Sequence, residues 1–351
     1  KYQALIGFRG STTQALAARF QLYKFLTPGL ECAKPSILLS EGTPTVPDSL
    51  SNWSLFRQKP ARFLTNWLYQ RRATDPTSPA EPIKDLITIV CISDTHNTQP
   101  ALPDGDLLLH AGDLSQSGSF QEIQLQLDWL NSQPHKYKAL IGGNHDLLLD
   151  PEFVDNFPQR ILERPCTSRS DLKWGKIIYL NNNSVKLDFA NGRSLNIYGS
   201  PLTKQFGTWA FQYPPIRDVW TNTIPLETDI LLTHGPPKGY LDTDGLGSEF
   251  LLQEISHVRP RLVVFGHIHG GYGKEAVRFD GVQKAYDGVR FGEKGFTTVI
   301  WMAILIILQY LTIIIHFRGP KQGTEPTMMV NAAAVGGYKN QFSRPAITVE
   351  I

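Results

Sequence analysis

Cysteine is scarce in this chain of 351 residues: Cys32, Cys91 and Cys166 are far apart, and no CxxC pair occurs. A disulfide scaffold and a zinc-thiolate site are therefore excluded. A reducing compartment suits such a sequence, so we expect an intracellular protein, either cytoplasmic or peripherally membrane-associated. The chain also lacks a charged-then-apolar signal peptide and begins at Lys1, which indicates a fragment or a processed product.

Acidic residues are sparse at the start of the chain. Residues 1–73 carry ten Lys or Arg against three acids, whereas the remainder carries 24 basic and 29 acidic residues. This asymmetry predicts a basic N-terminal extension and linker over 1–86, either suited to an anionic surface or merely solvated, ahead of a domain over 87–351. The acidic body offers no obvious basic groove, so no nucleic-acid partner is expected.

One stretch of the extension is organised. In RFLTNWLYQRR (62–72), Phe63, Leu64, Trp67 and Leu68 fall on one helical face, and arginines flank them. Such a helix suits the headgroup layer of a membrane, since it combines tryptophan with basic side chains. A helix packed on the body of the protein is the alternative interpretation.

From residue 87 onward, short apolar runs end in polar side chains. The runs are LITIVCI (86–92), DLLLHA (106–111), YKALIGG (137–143), DILLT (229–233) and RLVVFG (261–266). The polar residues that follow them are Asp94 and His96, Asp113, Asn144 and His145, His234, and His267 and His269. Continuous apolar runs of this length predict strands buried on both faces, and hence a layered α/β core. Ligands of such sheets sit beyond the carboxyl ends of the strands, where these polar residues lie.

Two further elements complete the predicted core. SFQEIQLQLDWLNSQ (119–133) is typical of a helix between two strands. The alternating segments VKLDF and LNIYG, on either side of Asn191 and Gly192, predict an antiparallel hairpin.

The polar strand ends have the composition of a metal site. In Asp94-x-His96 and His267-x-His269, alternate residues at a strand end point the same way, so the two side chains can coordinate one ion. Carboxylate, amide and imidazole ligands without thiolate suit Mn, Fe or Zn. Seven such ligands are too many for one ion but fit two ions that share a bridging ligand.

Taken together, these blocks resemble the calcineurin-like metallophosphoesterases. The family pattern D-x-H, G-D, G-N-H-D/E, H and G-H-x-H is matched by SDTH, AGD, GNHD, THG and GHIH. SDTHN, LLHAGDLS, IGGNHD, THGPP and VNAA look like the branch related to brain-expressed mammalian and many fungal proteins. The resemblance covers 88–275 and returns at 327–351. It implies the α/β/β/α fold, a two-layer β-sandwich flanked by helices, here with a hydrophobic insertion at about 295–326.

The resemblance also implies a role for each polar residue. Two divalent metal ions would be held, the first by Asp94, His96 and His269, the second by Asn144, His234 and His267, with Asp113 bridging them. The nucleophile would be a metal-bound hydroxide. His145 would be the general acid that protonates the leaving oxygen, and Asp146 would orient or charge it.

A long hydrophobic stretch precedes the last strands. FTTVIWMAILIILQYLTIIIHF (296–317) has no formal charge and is long enough for a helix to span a bilayer. Yet MMVNAAAV (328–335) and AITVEI (346–351) are predicted to be closing strands of the same domain, and a single span would separate them from the metal site. We therefore expect peripheral or monotopic membrane attachment through 62–72 and 296–317. A helix buried within the domain, or an oligomer contact, is the alternative.

The resemblance implies a dinuclear metal-dependent phosphoesterase that acts on a small phosphoester substrate, and we expect a phosphodiester in particular. A phosphomonoesterase or protein phosphatase is an alternative within the enzymes. A membrane-associated scaffold that binds metal with little turnover is the alternative from another class. The intact ligand pattern, including His145, favours the enzyme.

Overall fold

The structure, a computed structural model, describes residues 56–72, 86–161, 167–243, 245–316, 326–336, 340 and 342–351; for 313–316 and 342 it describes the backbone alone. These residues belong to one compact unit, Ser51–Ile351. Most of the predicted extension, namely 1–55 and 73–85, lies outside the described residues, and so does 317–325 of the predicted hydrophobic insertion.

The strands follow the predicted apolar runs closely. They are β1 Thr88–Ile92, β2 Leu107–His110, β3 Tyr137–Leu140, β4 Ile178–Tyr179, β5 Asn183–Asp188, β6 Ser194–Ser200, β7 Thr203–Lys204, β8 Gln212–Tyr213, β9 Ile230–Thr233, β10 Leu262–Phe265, β11 Gly273–Val277, β12 Thr327–Asn331, β13 Val335–Gly336, β14 Phe342–Ser343 and β15 Ile347–Glu350. The five predicted buried strands are β1, β2, β3, β9 and β10, and the predicted hairpin is the antiparallel pair of β5 and β6. These predictions are confirmed.

The helices are fewer and lie mostly outside the sheets. They are α1 Pro60–Tyr69, α2 Phe120–Ser132, α3 Pro151–Asn156, α4 Glu249–Val258, α5 Gly281–Arg290 and α6 Phe296–His316, with single 3₁₀ turns at Leu147–Leu149, Pro158–Arg160, Arg169–Asp171 and His269–Gly271. Helix α2 begins where predicted because the Ser119 side chain accepts a hydrogen bond from the Glu122 backbone and the Glu122 side chain reaches back, which makes a capping box.

The strands form two sheets. The first has the order β15-β1-β2-β3-β4 and the second the order β11-β12-β10-β9-β6-β5. Strands β1 to β4 run parallel, and so do β6, β9, β10 and β12, so each sheet gathers several carboxyl ends at one edge. The closing strands predicted near the end of the chain are present, since β12 pairs with β10 and β15 pairs with β1.

The core has three layers, and successive residues of a strand face the two layers on either side of its sheet. In β1, Ile89 and Cys91 face the space between the two sheets, whereas Val90 and Ile92 face α2. On the outer face of the second sheet, Val263 and Phe265 of β10 pack with residues of α4. The fold is therefore the α/β/β/α sandwich, with helices on both outer faces.

At the edge that carries the polar residues, the two sheets are joined directly. The backbone N–H of Ser93 donates to the carbonyl of Ala332 at 2.9 Å, and the N–H of Ala334 donates to the carbonyl of Ser93 at 2.7 Å. The end of β1 is thereby held against the end of β12. This bridge brings the loops of the first sheet next to those of the second.

Helices α1, α5 and α6 form a separate layer. Met302 and Ile306 of α6 are buried against Val282 and Ala285 of α5, and Leu68 of α1 packs on the same cluster. Helix α1 thus contacts the body of the protein, as the alternative interpretation had it, although its Trp67 stays exposed.

Within the described residues, no helix combines the length and apolar character needed to cross a membrane.

Candidate metal centre

All seven predicted ligands meet at the joined edge of the two sheets. Three of their positions follow β1 and β2, one follows β3, and three follow β9 and β10. Several of the side chains are deeply buried: Asp94 and His234 are 0% exposed, Asp113 2% and Asn144 5%. Because buried carboxylates and imidazoles need partners, such a cluster is unlike a solvated acidic patch.

The first group consists of Asp94, His96 and His269. Each offers one ligand atom, and these atoms lie within 4.8 Å of one another. Nε2 of His269 is 3.2 Å from Oδ1 of Asp94. The backbone N–H of His267 donates to Oδ2 of Asp94 at 2.9 Å, which fixes the carboxylate in place.

The second group consists of Asp113, His234 and His267, again with ligand atoms within 4.8 Å. Nε2 of His234 lies 3.1 Å from Oδ1 of Asn144, so the asparagine amide joins this group. Nδ1 of His234 lies 2.7 Å from the carbonyl of Ala111, to which it donates. That hydrogen bond turns Nε2 toward the other ligands, as the outer partner of a metal-binding histidine typically does.

Asp113 connects the two groups. Its Oδ1 is 3.4 Å from Nε2 of His234, and its Oδ2 is 3.7 Å from Nε2 of His96. One carboxylate therefore presents one oxygen to each group. This arrangement suits a ligand shared by two ions.

The backbone at the site is strained. Four of the seven predicted ligands have a positive φ, namely Asp94 (52°), His96 (42°), Asp113 (54°) and His267 (65°). Left-handed backbone is uncommon outside glycine and is held in place only by its surroundings. Its concentration at these residues indicates a site whose side-chain directions matter for function.

Electrostatics keeps the carboxylates ionised. Burial alone would raise the pKa of Asp113, but the charge and hydrogen bond of His234 outweigh burial and hold that pKa well below its usual range. In return, Asp113 raises the pKa of His234 to about 9 against the effect of burial. Burial and the charge of His234 lower the pKa of His267 to about 4. The centre thus holds negative carboxylates, a neutral His267 and a proton on His234 that a cation would displace.

Two glycines leave room for the ligands. A Cβ at Gly266 would overlap Oδ2 of Asp94 and Oγ of Ser93. A Cβ at Gly143 would overlap the backbone N and Oδ1 of Asp113. The glycines of the GNHD and GHIH blocks are therefore required by close approach of the metal-site side chains.

His145 lies beside both groups. Its backbone N–H donates to Oδ1 of Asp113 at 2.7 Å, and its ring meets the ring of His96 edge-on at 4.8 Å. Nδ1 lies 2.8 Å from the carbonyl of Gln116, so Nδ1 carries a hydrogen and Nε2 is the nitrogen available for proton transfer. The structure thus places His145 beside Asp113 and His96.

The side chain of Asp146 is held by hydrogen bonds from the neighbouring loops. Its carboxylate is fully buried and accepts hydrogen bonds from the backbone N–H of Leu114, Ser115 and Gly143, and from the hydroxyl of Ser115. Among the described residues, none of its side-chain hydrogen bonds reaches the His145 ring. Its side chain turns into the body and holds the loops after β2 and β3 together. That Asp146 orients or charges His145 stays a prediction.

Sequence reasoning missed two positioning residues. Nδ2 of Asn331, in the VNAA block, donates to the carbonyls of Leu241 and Ile268, each at 2.9 Å, and so secures the loop between His267 and His269. Nη1 of Arg344 donates to the carbonyl of His269. Asn331 could have been identified from the sequence, because VNAA is part of the family resemblance. Arg344 could not, because it lies in an irregular segment outside the quoted blocks.

The residues present fit divalent metal ions. Nδ1 of His96 is buried and has no hydrogen-bond partner among the described residues. A neutral imidazole, two ionised carboxylates and an amide oxygen are ligands that divalent ions accept readily.

A mostly apolar cavity adjoins the centre. It measures about 310 Å³, and its lining includes His267, Gly235, Leu202, Phe206 and Trp220. Oγ1 of Thr203, also in the lining, is buried without a hydrogen-bond partner among the described residues. A cavity of this kind next to reactive residues is the usual form of a small-molecule site.

Comparison with known proteins gives consistent matches. A family profile described as calcineurin-like phosphoesterase matches residues 87–271. A protein of Emericella nidulans named probable rhamnogalacturonate lyase C is 40% identical over 303 residues, which cover 86% of this chain and 28% of that protein. Human metallophosphoesterase domain-containing protein 1 is 40% identical over 204 residues, or 52% of this chain and 61% of that protein. A UPF0046 protein of Caenorhabditis elegans is 33% identical over 236 residues, or 61% of this chain and 82% of that protein.

The chain spans less than two thirds of the first two relatives. The lyase activity in the first name is therefore a property of that longer protein.

Proposed function

The chain belongs to the calcineurin-like phosphoesterase family, and we propose that it is a phosphodiesterase that works at a centre of two divalent metal ions. The observation that carries this proposal is the carboxylate of Asp113, which presents Oδ1 to His234 and Oδ2 to His96. A single ion would not need a ligand divided in this way. Metal-dependent hydrolysis of phosphoesters is the chemistry of the family; the diester preference and the number of ions are our proposal.

The ligands divide between the two proposed ions as the geometry groups them. Asp94, His96 and His269 would hold one ion, and Asn144, His234 and His267 the other, with Asp113 shared. When bound, a pair of divalent ions polarises a phosphoryl group and activates water for in-line attack. Mn, Fe and Zn all suit these ligands.

His145 is proposed to give a proton to the leaving oxygen. Since Nδ1 donates to Gln116, the proton that is transferred must sit on Nε2 of a doubly protonated ring. Asp113 accepts the backbone N–H of the same residue at 2.7 Å, which holds His145 beside the proposed metal ligands. A donor held in this way contributes most when the leaving group is poor.

The cavity beside His267 supports the diester preference. A monoester of phosphate presents one organic group, whereas a diester presents two, and an apolar cavity of about 310 Å³ can receive one of them. Gly235 forms part of the wall, and a Cβ there would make ordinary contacts, 3.5 Å from Cγ2 of Thr203. A side chain added at Gly235 would therefore begin in the cavity wall without a close contact at its Cβ.

The first test compares bis(p-nitrophenyl) phosphate with p-nitrophenyl phosphate as substrates, with Mn²⁺ added, for the unaltered chain and Asp113→Asn. We expect faster diester hydrolysis, and its loss by about a thousandfold or more in the variant. Hydrolysis of the monoester alone would replace the proposal with a phosphomonoesterase or protein phosphatase. Inactivity toward both esters with metal bound would favour a metal-binding scaffold.

The second test addresses the cavity. Gly235→Val should raise KM for bis(p-nitrophenyl) phosphate by about tenfold, because an aromatic ring loses its apolar site. The variant should leave hydrolysis of methyl p-nitrophenyl phosphate nearly unchanged, since a methyl group does not need the cavity. Equal losses for both substrates would indicate damage to the metal centre rather than loss of the cavity.

An intracellular location is also part of the proposal. Cys91 is a free thiol buried in β1, and burial raises its pKa. A buried thiol of this kind is unreactive, and it forms no disulfide that an oxidising compartment would have to maintain.

A further inference from the structure

One face of α6 is apolar and exposed. Each of its large residues on that face exposes between 42% and 63% of its surface: Phe296, Ile300, Trp301, Ile304, Ile307, Leu308, Tyr310 and Leu311. Contiguous exposed apolar surface of this extent is rare on soluble domains and marks a site that contacts something else.

The exposure follows from a fixed helix position. Val299, Met302 and Ile306 are buried on the opposite face, and Nε2 of Gln309 donates to Oδ2 of Asp280 at 3.1 Å. Strands β12 and β15, which follow α6 in the chain, complete the two sheets. Helix α6 is therefore packed on the domain through one face, and no described residue covers its apolar face.

Helix α1 adds a basic border to this face. The hydroxyl of Tyr310 donates to the carbonyl of Arg71 at 3.0 Å, so the two helices meet there. Trp67 is 46% exposed, and the guanidinium of Arg71 lies over its ring at 3.9 Å. Arg57, Lys59 and Arg62 are exposed as well, and no acid occurs over 56–72.

We propose that the α1–α6 surface, defined by the eight exposed residues of α6 together with Trp67 and the basic residues of 57–71, docks on an anionic lipid surface. A helix that lies in the membrane interface buries its apolar face to a depth of about 5–10 Å. Basic side chains and tryptophan beside it match the headgroup layer, where anionic lipids attract the positive charge.

A second copy of this chain fits the same surface less well. In a two-fold symmetric dimer, each patch meets its own copy. Both patches would then be apolar with a basic border, and no acid over 56–72 offers a partner to the basic residues of the other copy. Charge complementarity therefore favours lipid.

The test is flotation of the full chain with vesicles of phosphatidylcholine, alone or mixed with phosphatidylserine, at low and high salt. We expect binding to the anionic vesicles and weaker binding at high salt, since screening weakens the attraction. Ile307→Glu should lower the bound fraction by about tenfold or more, because it places a charge in the apolar face. Arg71→Gln should weaken binding to anionic vesicles alone.

Matched controls come from a different exposed segment. Ile216 is 91% exposed and Arg217 follows it, so Ile216→Glu and Arg217→Gln make the same chemical changes outside α1 and α6. The controls should bind vesicles like the unaltered chain, and all four variants should keep its thermal unfolding midpoint. Binding by Ile307→Glu at the unaltered level would overturn the proposal. Absence of vesicle binding would also overturn it, and a dimer in sedimentation that Ile307→Glu dissociates would identify a second copy of the chain as the occupant of the surface.

Discussion

The imidazole of His145 stacks on the indole of Trp209, with 4.4 Å between ring centroids and 32° between ring planes. The Trp209 ring in turn carries the guanidinium of Arg160 at 4.9 Å. Backbone contact supports the stack, because the N–H of Ala210 donates to the carbonyl of Asn144 at 3.2 Å. Trp209 is thus a positioning residue for the proposed proton donor.

Trp209→Ala should lower kcat by up to about tenfold, the value of one aromatic pair, with little change in KM. The loss should appear with an alkyl phosphodiester, whose leaving group needs a proton, and fade with a p-nitrophenyl ester, which does not. Trp209→Phe should restore activity, since it keeps an aromatic face. Equal losses for both leaving groups would contradict the assignment of His145 as the proton donor that Trp209 positions.

The sequence predicts the sheets and the ligand cluster because both depend on local patterns. Continuous apolar runs define β1, β2, β3, β9 and β10, and parallel pairing brings their polar ends to one edge. The stacking of Trp209 on His145 and the hydrogen bonds of Asp146 depend on contacts between loops that are distant in sequence. Such contacts leave no periodic pattern in the chain. Two-residue strands such as β7 and β8, which shape the cavity wall, are too short to leave a pattern.

Gly266→Ala should disturb the first metal group. The new Cβ would overlap the carboxylate of Asp94, and overpacking of a buried site costs about 1–3 kcal/mol of the free energy of unfolding. Displacement of Asp94 should also lower the metal content, measured by elemental analysis after gel filtration.

The control for this substitution is Gly295→Ala, where no atom lies within 4 Å of the new Cβ and no positive φ is needed. It should leave metal content and unfolding unchanged. If Gly266→Ala behaved like this control, the close packing of Gly266 against Asp94 would not be needed for the site.

Metal occupancy should change how stability depends on pH. In the metal-free protein, the pKa of His234 is raised to about 9 from an ordinary value of 6.5. A raised folded pKa means that the pairing with Asp113 stabilises the fold fully below about pH 6.5 and is lost as pH rises through about 9. We expect the chelated protein to lose about 1–3 kcal/mol over this range, measured by urea unfolding.

The metal-loaded protein should lack this step, because the cation takes the place of the proton on His234. His257→Asn is the control, since this histidine is on the surface of α4 and its side chain is 55% exposed. The chelated control variant should keep the step. Parallel pH profiles for the chelated and metal-loaded proteins would show that metal does not displace the proton on His234.

Asn331 should matter more than its distance from the chemistry suggests. Its side chain is 0% exposed and donates to two carbonyls, while its Oδ1 accepts from the N–H of Ala333 at 3.2 Å. Asn331→Ala would remove the side-chain partner of the Leu241 carbonyl and of the Ala333 N–H, at about 1–3 kcal/mol for each that stays unsatisfied, whereas the Ile268 carbonyl would keep the N–H of Gly271 at 3.0 Å. The loop that carries His269 would loosen, so metal affinity should fall along with the unfolding midpoint.

Asn196→Ala is the matched comparison, since Nδ2 of Asn196 donates to the carbonyl of Glu227 at 3.1 Å near solvent. Water can replace that bond, so its loss should cost no more than about 1 kcal/mol and leave metal affinity unchanged. Calorimetric titration of each chelated protein with Mn²⁺ separates the two effects. An Asn331→Ala protein that unfolds earlier but binds Mn²⁺ like the unaltered chain would restrict Asn331 to the fold. Weaker binding would place the hydrogen bonds of β12 among the contacts that hold the metal ligands in position.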